Sequence, residues 1–137
     1  YFEHVLNMRP DASRVKALSN LGMIAVRQAD YRSGLRYLRA ATRMSPGYQR
    51  HFFFFALAME KTEQIRPAYH WYKRTALVRS TESCFQWQGA NNLSNLLLRM
   101  GRLEEADRWI RMGLRMRPGE PILLLNQRNL ERLKSVS

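Results

Sequence analysis

Apolar residues recur along the chain at intervals of three and four, the spacing of one face of an α-helix. Leu18, Leu21 and Ala25 share such a face, and Leu35 and Leu38 share another after an intervening polar segment. The alternation of apolar and polar residues that is typical of a β-strand is not visible in the sequence. The pattern therefore predicts short amphipathic helices and an all-α fold.

This pair of helices is repeated. Each of three copies is marked by a small residue directly after a large apolar one, namely Gly22, Ala56 and Ser94. The first two markers are 34 residues apart and the last two are 38 apart, which places four extra residues near Thr81 to Gln86. Because a pair of helices this short cannot bury its apolar face alone, we expect the copies to stack on one another.

The arrangement resembles the tetratricopeptide repeat (TPR) family, whose repeat of about 34 residues has a Leu-Gly pair, a later Ala and a closing Pro. The strongest motif begins at Met100-Gly101 and runs through Ala106 to Pro118. The resemblance implies an all-α fold, a right-handed superhelical solenoid of antiparallel helix pairs that ends in a capping helix.

The resemblance also divides the chain into segments. Residues 1–12 would be the second helix of a truncated repeat, 13–48, 49–82 and 83–120 three full repeats, and 121–137 a C-terminal capping helix. Because the first repeat lacks its leading helix, the chain is expected to be a fragment of a longer array. Further repeats or domains of the same parent chain would then be among its partners.

The capping helix is predicted from its own apolar face. Leu123, Leu130 and Leu133 lie on one side of this segment, and charged residues surround them. Such a helix suits the exposed end of a stack of repeats.

In TPR proteins the first helix of each repeat lines a concave surface, and this surface mostly grips extended peptides. The resemblance thus implies binding rather than catalysis. The residues expected to face this groove include Ser19 and, from the three repeats, Lys16, Asn20, Met23, Arg27, Arg50, Phe53, Phe54, Leu57, Lys61, Gln88, Asn91, Asn92, Asn95 and Arg99.

Two asparagines of this set occupy equivalent positions. The amides of Asn20 and Asn92 can donate and accept at once, as an extended peptide backbone requires. They resemble members of the asparagine ladder in O-linked N-acetylglucosamine transferases, which Phe54 interrupts in the middle repeat. The alternative is that both amides simply face water.

The aromatic run of the second repeat has two faces. A helix directs Phe52 and Phe55 inward and leaves Phe53 and Phe54 towards the groove. Next to Leu57, these two rings form a candidate pocket for an apolar side chain of a partner. The alternative is that a neighbouring repeat or the four-residue insertion covers them.

Cations outnumber acids in the predicted groove, so an acidic peptide or a terminal carboxylate is its natural complement. Asn20 and Arg50 match two positions of the TPR carboxylate clamp. Phe54 stands where a second cation is expected, and the helix for the remaining clamp residues is absent. A complete clamp is therefore not supported.

The composition adds a strong positive charge. The 137 residues contain 23 Lys and Arg against 11 Asp and Glu, a net charge of +12, and 45% are hydrophobic, which excludes a disordered basic tail. The longest apolar run has 8 residues, Phe52 to Met59, too few to span a bilayer.

Part of this charge is predicted to form rows on the convex side, along the second helices of the repeats. Their members are Arg36, Arg39, Arg43, Lys73, Arg108, Arg111 and Arg115. A solvated face is the default interpretation. The alternatives are an acidic partner, an acidic domain, an anionic membrane or nucleic acid, and the last is weakened because no aromatic residues are clearly interleaved on the exposed side.

A constellation for catalysis is missing. His4, His51 and His70 share no metal-ligand spacing with one another or with Cys84, so we expect no metal site, no cofactor and no enzymatic activity. The single cysteine excludes an internal disulfide and suits a reducing, cytoplasmic location.

The leading hypothesis is a non-catalytic scaffold for protein interactions that holds an extended acidic or mixed apolar-acidic peptide of a partner in its groove. One alternative is a structural spacer within a larger enzyme or secretion-type protein. Another is a basic surface that docks on nucleic acid or an anionic membrane.

Overall fold

The computed structural model describes residues 12–136 and shows an all-α fold in this range. A 3₁₀ turn, Gln49–His51, precedes the third of seven α-helices in the described part of the chain. In order, the helices are α1 (Ala12–Arg27), α2 (Tyr31–Met44), α3 (Phe52–Lys61), α4 (Ile65–Ala76), α5 (Gln86–Arg99), α6 (Leu103–Met116) and α7 (Pro121–Val136). The predicted fold class is confirmed. The half-repeat expected at residues 1–12 lies almost wholly outside the described residues.

The chain forms two compact units, one ending at Ala68 and the other beginning at Tyr69. In the first unit, α1 packs along α2, and both contact α3. In the second, α5 packs along α6, and both contact α7. Neighbouring helices thus pack in pairs, as the hydrophobic spacing predicts.

Glycines allow α1 and α2 to approach closely. A Cβ atom on Gly22 would lie 2.4 Å from Cγ of Leu38, and one on Gly34 would lie 2.6 Å from Cγ2 of Val26. Leu38 and Ala41 are fully buried at this crossing. Small residues at these two positions are therefore required by the contact between the two helices.

The second unit has the same device where α7 docks. A Cβ atom on Gly113 of α6 would lie 2.9 Å from Cδ2 of Leu123. Leu123 and Leu130 are fully buried and Leu133 is partly buried, so the predicted apolar face of the last helix is the one that packs.

The turns within the helix pairs share one backbone conformation. Ala29, Glu63 and Gly101 stand seven residues after the three small marker residues, and their φ angles are 63°, 64° and 76°. In each turn the next amide donates to the carbonyl five residues before it, at 2.8 to 2.9 Å. These are Schellman motifs, which end a helix by placing one residue in the left-handed region.

The connection between α4 and α5 is longer than the other connections among the described helices. It runs from residue 77 to 85 and contains the four extra residues inferred from the repeat spacing. Phe85 ends it with a φ of 63°, and Cys84 is buried beside it. Oε1 of Gln86 accepts a hydrogen bond from the Cys84 amide at 3.1 Å, which ties this loop to the first residue of α5.

Candidate functional site

In the first unit, α1, the 3₁₀ turn and α3 expose most of the predicted groove residues. Four cations, two on α1 and two at the ends of the segment 50–61 that contains α3, are exposed, and two apolar side chains of α3 are partly buried. We call this set the α1–α3 surface: Lys16, Asn20, Arg27, Arg50, Phe53, Leu57 and Lys61.

Three further residues predicted for this groove are buried instead. Met23 is 7% exposed and Phe54 is 5% exposed, while Ser19 is fully buried. The expectation of exposed area on Phe54 is therefore wrong. The reason is that α3 is apolar on nearly all sides and is covered on more than its two predicted inner positions, Phe52 and Phe55.

Arg27 accounts for part of the cover over Phe54. Its guanidinium carbon lies 5.0 Å from the centroid of the Phe54 ring, and the Phe53 ring meets the same ring edge-on at 5.5 Å. This cation–π contact holds an exposed positive charge directly above a buried aromatic ring. The α1–α3 surface thus presents charge at the position where the sequence predicted an open aromatic pocket.

The buried side chain of Ser19 is hydrogen-bonded to a buried histidine. Its Oγ lies 3.0 Å from Nδ1 of His51, and Oγ1 of Thr42 lies 2.8 Å from Nε2 of the same ring. The Tyr48 ring stacks on His51 with centroids 5.4 Å apart. Burial lowers the pKa of His51 to about 4, so the ring is neutral at pH 7.

This network joins α1, α2 and the 3₁₀ turn. The spacing of the histidines in the sequence predicts no metal site and does not indicate the network. The hydroxyls of Ser19 and Thr42 complete the hydrogen bonding of both ring nitrogens, so the group is a satisfied structural cluster rather than a vacant site.

In the second unit, α5 carries the remaining predicted groove residues. Asn91 is only 6% exposed because its Oδ1 accepts a hydrogen bond from Nδ2 of Asn126 in α7 at 2.8 Å. Contrary to the exposure expected of a groove residue, Asn91 is therefore buried against α7. Asn126 was missed because nothing in its local pattern distinguishes it from a solvent-facing amide.

The other predicted groove residues of α5 are more accessible than Asn91. Asn92 is partly buried and donates from Nδ2 to the hydroxyl of Tyr72 at 3.4 Å, whereas Asn95 and Arg99 are exposed. Gln88 is partly buried, and its Oε1 atom has no hydrogen-bond partner among the described residues.

The two equivalent asparagines differ in environment. Asn20 is exposed on α1, whereas the side-chain amide of Asn92 already donates a hydrogen bond to the hydroxyl of Tyr72. With Phe54 buried between them in sequence, these positions do not form a uniform series of free amides.

The predicted cation rows lie on the second helices. Arg36, Arg43, Lys73, Arg108, Arg111 and Arg115 are exposed and Arg39 is partly buried. Local partners hold some of them: the Arg36 guanidinium carbon lies 5.6 Å from the Tyr37 ring centroid, and Nη2 of Arg111 lies 3.1 Å from Oδ2 of Asp107.

The residues considered for catalysis are not assembled. Cys84 is buried, His70 is exposed on α4, and His4 lies outside the described residues. Between residues 12 and 136, no three His, Cys, Asp or Glu side chains come together in a way that could hold a metal ion. None of the helices in this range is both long and apolar enough to cross a membrane.

Comparison with known proteins relates the chain to a bacterial chaperone by fold. No family model and no curated protein sequence matches it. Among solved structures it is similar to the type III secretion chaperone SycD of Yersinia enterocolitica in complex with a peptide of the translocator YopD. The TM-score is 0.74 at 17% sequence identity, and the alignment covers 90% of this chain and 95% of that chain. The chain therefore has a TPR-like, all-helical fold of the kind seen in this secretion chaperone.

Proposed function

We propose that the protein is a non-catalytic scaffold that binds an extended peptide segment of a partner protein along its first helices. The observation that carries the proposal is the α1–α3 surface, where exposed cations flank two partly buried apolar side chains, Phe53 and Leu57. Support for a peptide as the ligand comes from the similar fold of SycD, which was solved with a peptide of another protein.

The chemistry of this surface favours an acidic peptide with apolar side chains. Arg50 and Lys61 lie at the two ends of the segment that contains α3, and Arg27 lies above Phe54. Carboxylates of a bound peptide would pair with these cations, which fixes its position and accelerates its association. An apolar side chain between the carboxylates would remove part of Phe53 and Leu57 from water. The buried cysteine is compatible with the cytoplasmic location expected from the sequence.

Peptide binding to the 137-residue chain tests this proposal. The probe is a fluorescein-labelled, capped octapeptide that alternates Glu and Leu, and its anisotropy reports binding. We expect Arg50→Glu to weaken binding by about tenfold, which corresponds to about 1.4 kcal/mol. Leu57→Ser should weaken it as well, since it removes apolar contact area without changing the charge.

The matched control is Arg32→Glu, which makes the same charge change at an exposed position of α2 outside this surface. Circular dichroism verifies that each variant is folded. Wild-type affinity in both Arg50→Glu and Leu57→Ser would refute binding at the α1–α3 surface. Absence of any binding by the wild-type chain would instead favour a spacer within a larger protein.

A further inference from the structure

A small pocket opens on α4 and α6, among residues of the second unit. Two residues of α4 and four of α6 line it: Tyr69, Lys73, Glu105, Arg108, Trp109 and Met112. Its volume is about 190 Å³. This is less than the roughly 300 to 1,000 Å³ of typical small-molecule sites, so the pocket suits one side chain rather than a metabolite.

The interior of this pocket combines apolar surface with a carboxylate that is already paired. Trp109 is 9% exposed and Met112 is partly buried, and they supply the apolar area. The hydroxyl of Tyr69 donates to Oε2 of Glu105 at 2.9 Å, and Arg102 forms an ion pair with the same carboxylate.

Further contacts stabilise the charged form of Glu105. Although partial burial acts in the opposite direction, the hydrogen bonds from Tyr69 and Arg102 and the charges of Arg102 and Arg108 lower the pKa of Glu105. The guanidinium carbon of Arg102 also lies 5.2 Å from the Tyr69 ring centroid. The carboxylate is therefore compensated within the protein and needs no cation from a ligand.

The rim of the pocket is positively charged. Lys73 lies on the α4 side and Arg108 on the α6 side, and both are exposed. The sequence of α4 contains three cations and no acidic residue. Two cations, Lys73 and Arg108, and one carboxylate, Glu105, line the pocket, and Arg102 pairs with that carboxylate, so the lining is net positive.

We propose that this pocket is a second docking site, which takes an acidic segment of a partner protein and accepts one of its apolar side chains. Carboxylates on either side of that side chain would pair with Lys73 and Arg108. A nucleic acid fits less well, because a phosphate that entered the pocket would meet the Glu105 carboxylate and the apolar surface of Trp109 and Met112. The site does not depend on peptide binding at the α1–α3 surface.

The test uses the 137-residue chain and two labelled, capped heptapeptides. Both contain six Asp or Glu residues, and the central residue is Phe in one and Ser in the other. We expect the Phe peptide to bind at least about fivefold more tightly than the Ser peptide. Repeating the titration in the Arg50→Glu background should preserve this ratio, because that variant changes only the α1–α3 surface.

Two variants then distinguish the pocket from simple charge attraction. Lys73→Glu combined with Arg108→Glu should weaken the Phe peptide by at least about tenfold, more than the control pair Arg14→Glu with Arg32→Glu, which makes the same change in net charge elsewhere. Met112→Arg adds a positive charge but fills the pocket. It should therefore weaken the Phe peptide while leaving the Ser peptide equal or tighter.

Several results would overturn the proposal. These are equal affinities for the two peptides, equal losses in the two double variants, or tighter binding of the Phe peptide by Met112→Arg. A single-stranded oligothymidylate provides a further test. If it displaces the Phe peptide, and if its affinity falls in parallel with that of the Phe peptide across all variants, the surface is a nucleic-acid site and the proposal is wrong.

Discussion

At the scale of single residues, burial gives His51 a pKa well below the ordinary value of a histidine. Both of its ring nitrogens lie within hydrogen-bond distance of hydroxyls, from Ser19 and Thr42, and the ring is fully buried. A protonated ring would have to donate from both nitrogens in a site that excludes water. The folded protein therefore holds this histidine in its neutral form, and its stability is linked to pH.

Acidification should destabilise the protein through His51. The pKa is about 4 in the folded state and close to the ordinary 6.5 in the unfolded chain. Between these values the unfolded chain binds the proton more readily, so stability is complete above pH 6.5 and falls as the pH drops towards 4. The full loss below pH 4 is about 3 kcal/mol of unfolding free energy, of which about 2 kcal/mol falls between pH 7 and pH 4.5. Urea unfolding monitored by circular dichroism at pH 7 and at pH 4.5 measures it.

The variant His51→Gln separates this effect from the titration of carboxylates. It lacks the titrating ring, so its unfolding free energy should fall less between pH 7 and pH 4.5 than that of the wild type. His70→Gln, at an exposed position of α4, should decline as the wild type does. If the three proteins decline equally, the pH dependence does not come from His51.

At the scale of the elements, the three Schellman turns fall at equivalent positions, each seven residues after a marker residue. The residues in the left-handed region are equivalent by sequence, although only the third, Gly101, is a glycine. Ala29 and Glu63 adopt the same conformation with a Cβ atom, which costs about 1 to 2 kcal/mol for an L-residue. The turn geometry is therefore imposed by the packing of the two helices that it joins.

Glycine at this position should stabilise the second turn. Because glycine carries no Cβ penalty at positive φ, Glu63→Gly should raise the unfolding free energy by about 1 kcal/mol. Glu63→Gln shows how much of the change arises from the lost charge. Glu104→Gly, in the exposed first turn of α6, should lower stability, since glycine there only loosens a helix. A loss of stability in Glu63→Gly would mean that the turn does not constrain that residue as described.

Helix α7 packs on α5 and thereby buries a residue that the sequence predicted to be accessible. The spacing of Leu123 and Leu130 predicts the packing face of α7, and both residues are buried. Asn126 lies on the same side of α7 and bonds Asn91, which removes Asn91 from the predicted groove. Two buried amides that satisfy each other fix the position of the helix as well as its face.

At the scale of the whole molecule, the cations behind the net charge of +12 occur in both units rather than in one site. Some cations accompany apolar side chains on the α1–α3 surface, and others surround the pocket of α4 and α6. Exposed charges of this kind attract acidic partners over a distance of about 8 to 10 Å at physiological salt.

Salt should therefore weaken peptide binding in a way that depends on the peptide's own charge. For the octapeptide of Glu and Leu, affinity should fall by about tenfold between 50 and 500 mM NaCl, because surface ion pairs are screened. A matched peptide with Gln in place of Glu should bind more weakly at 50 mM and change little with salt. Equal salt dependence for the two peptides would show that the protein's cations do not contact the carboxylates.

Several features followed from the order of residues alone. The helices, their pairing and the small marker residues follow from the spacing of apolar and small residues within each repeat. Periodic spacing encodes these directly, because an α-helix assigns each residue a fixed direction from its axis. The inward faces of Phe52 and Leu123 could be predicted for this reason.

The accessible surface was decided only by the tertiary structure. A direction from the helix axis does not say what lies there, and Met23, Phe54 and Asn91 point to places that other side chains occupy. The cluster of Ser19, Thr42 and His51 and the pocket beside Tyr69 and Glu105 likewise unite residues from separate helices. Burial, hydrogen bonding and pKa depend on the distances between such residues, and only the packing of the helices against one another sets those distances.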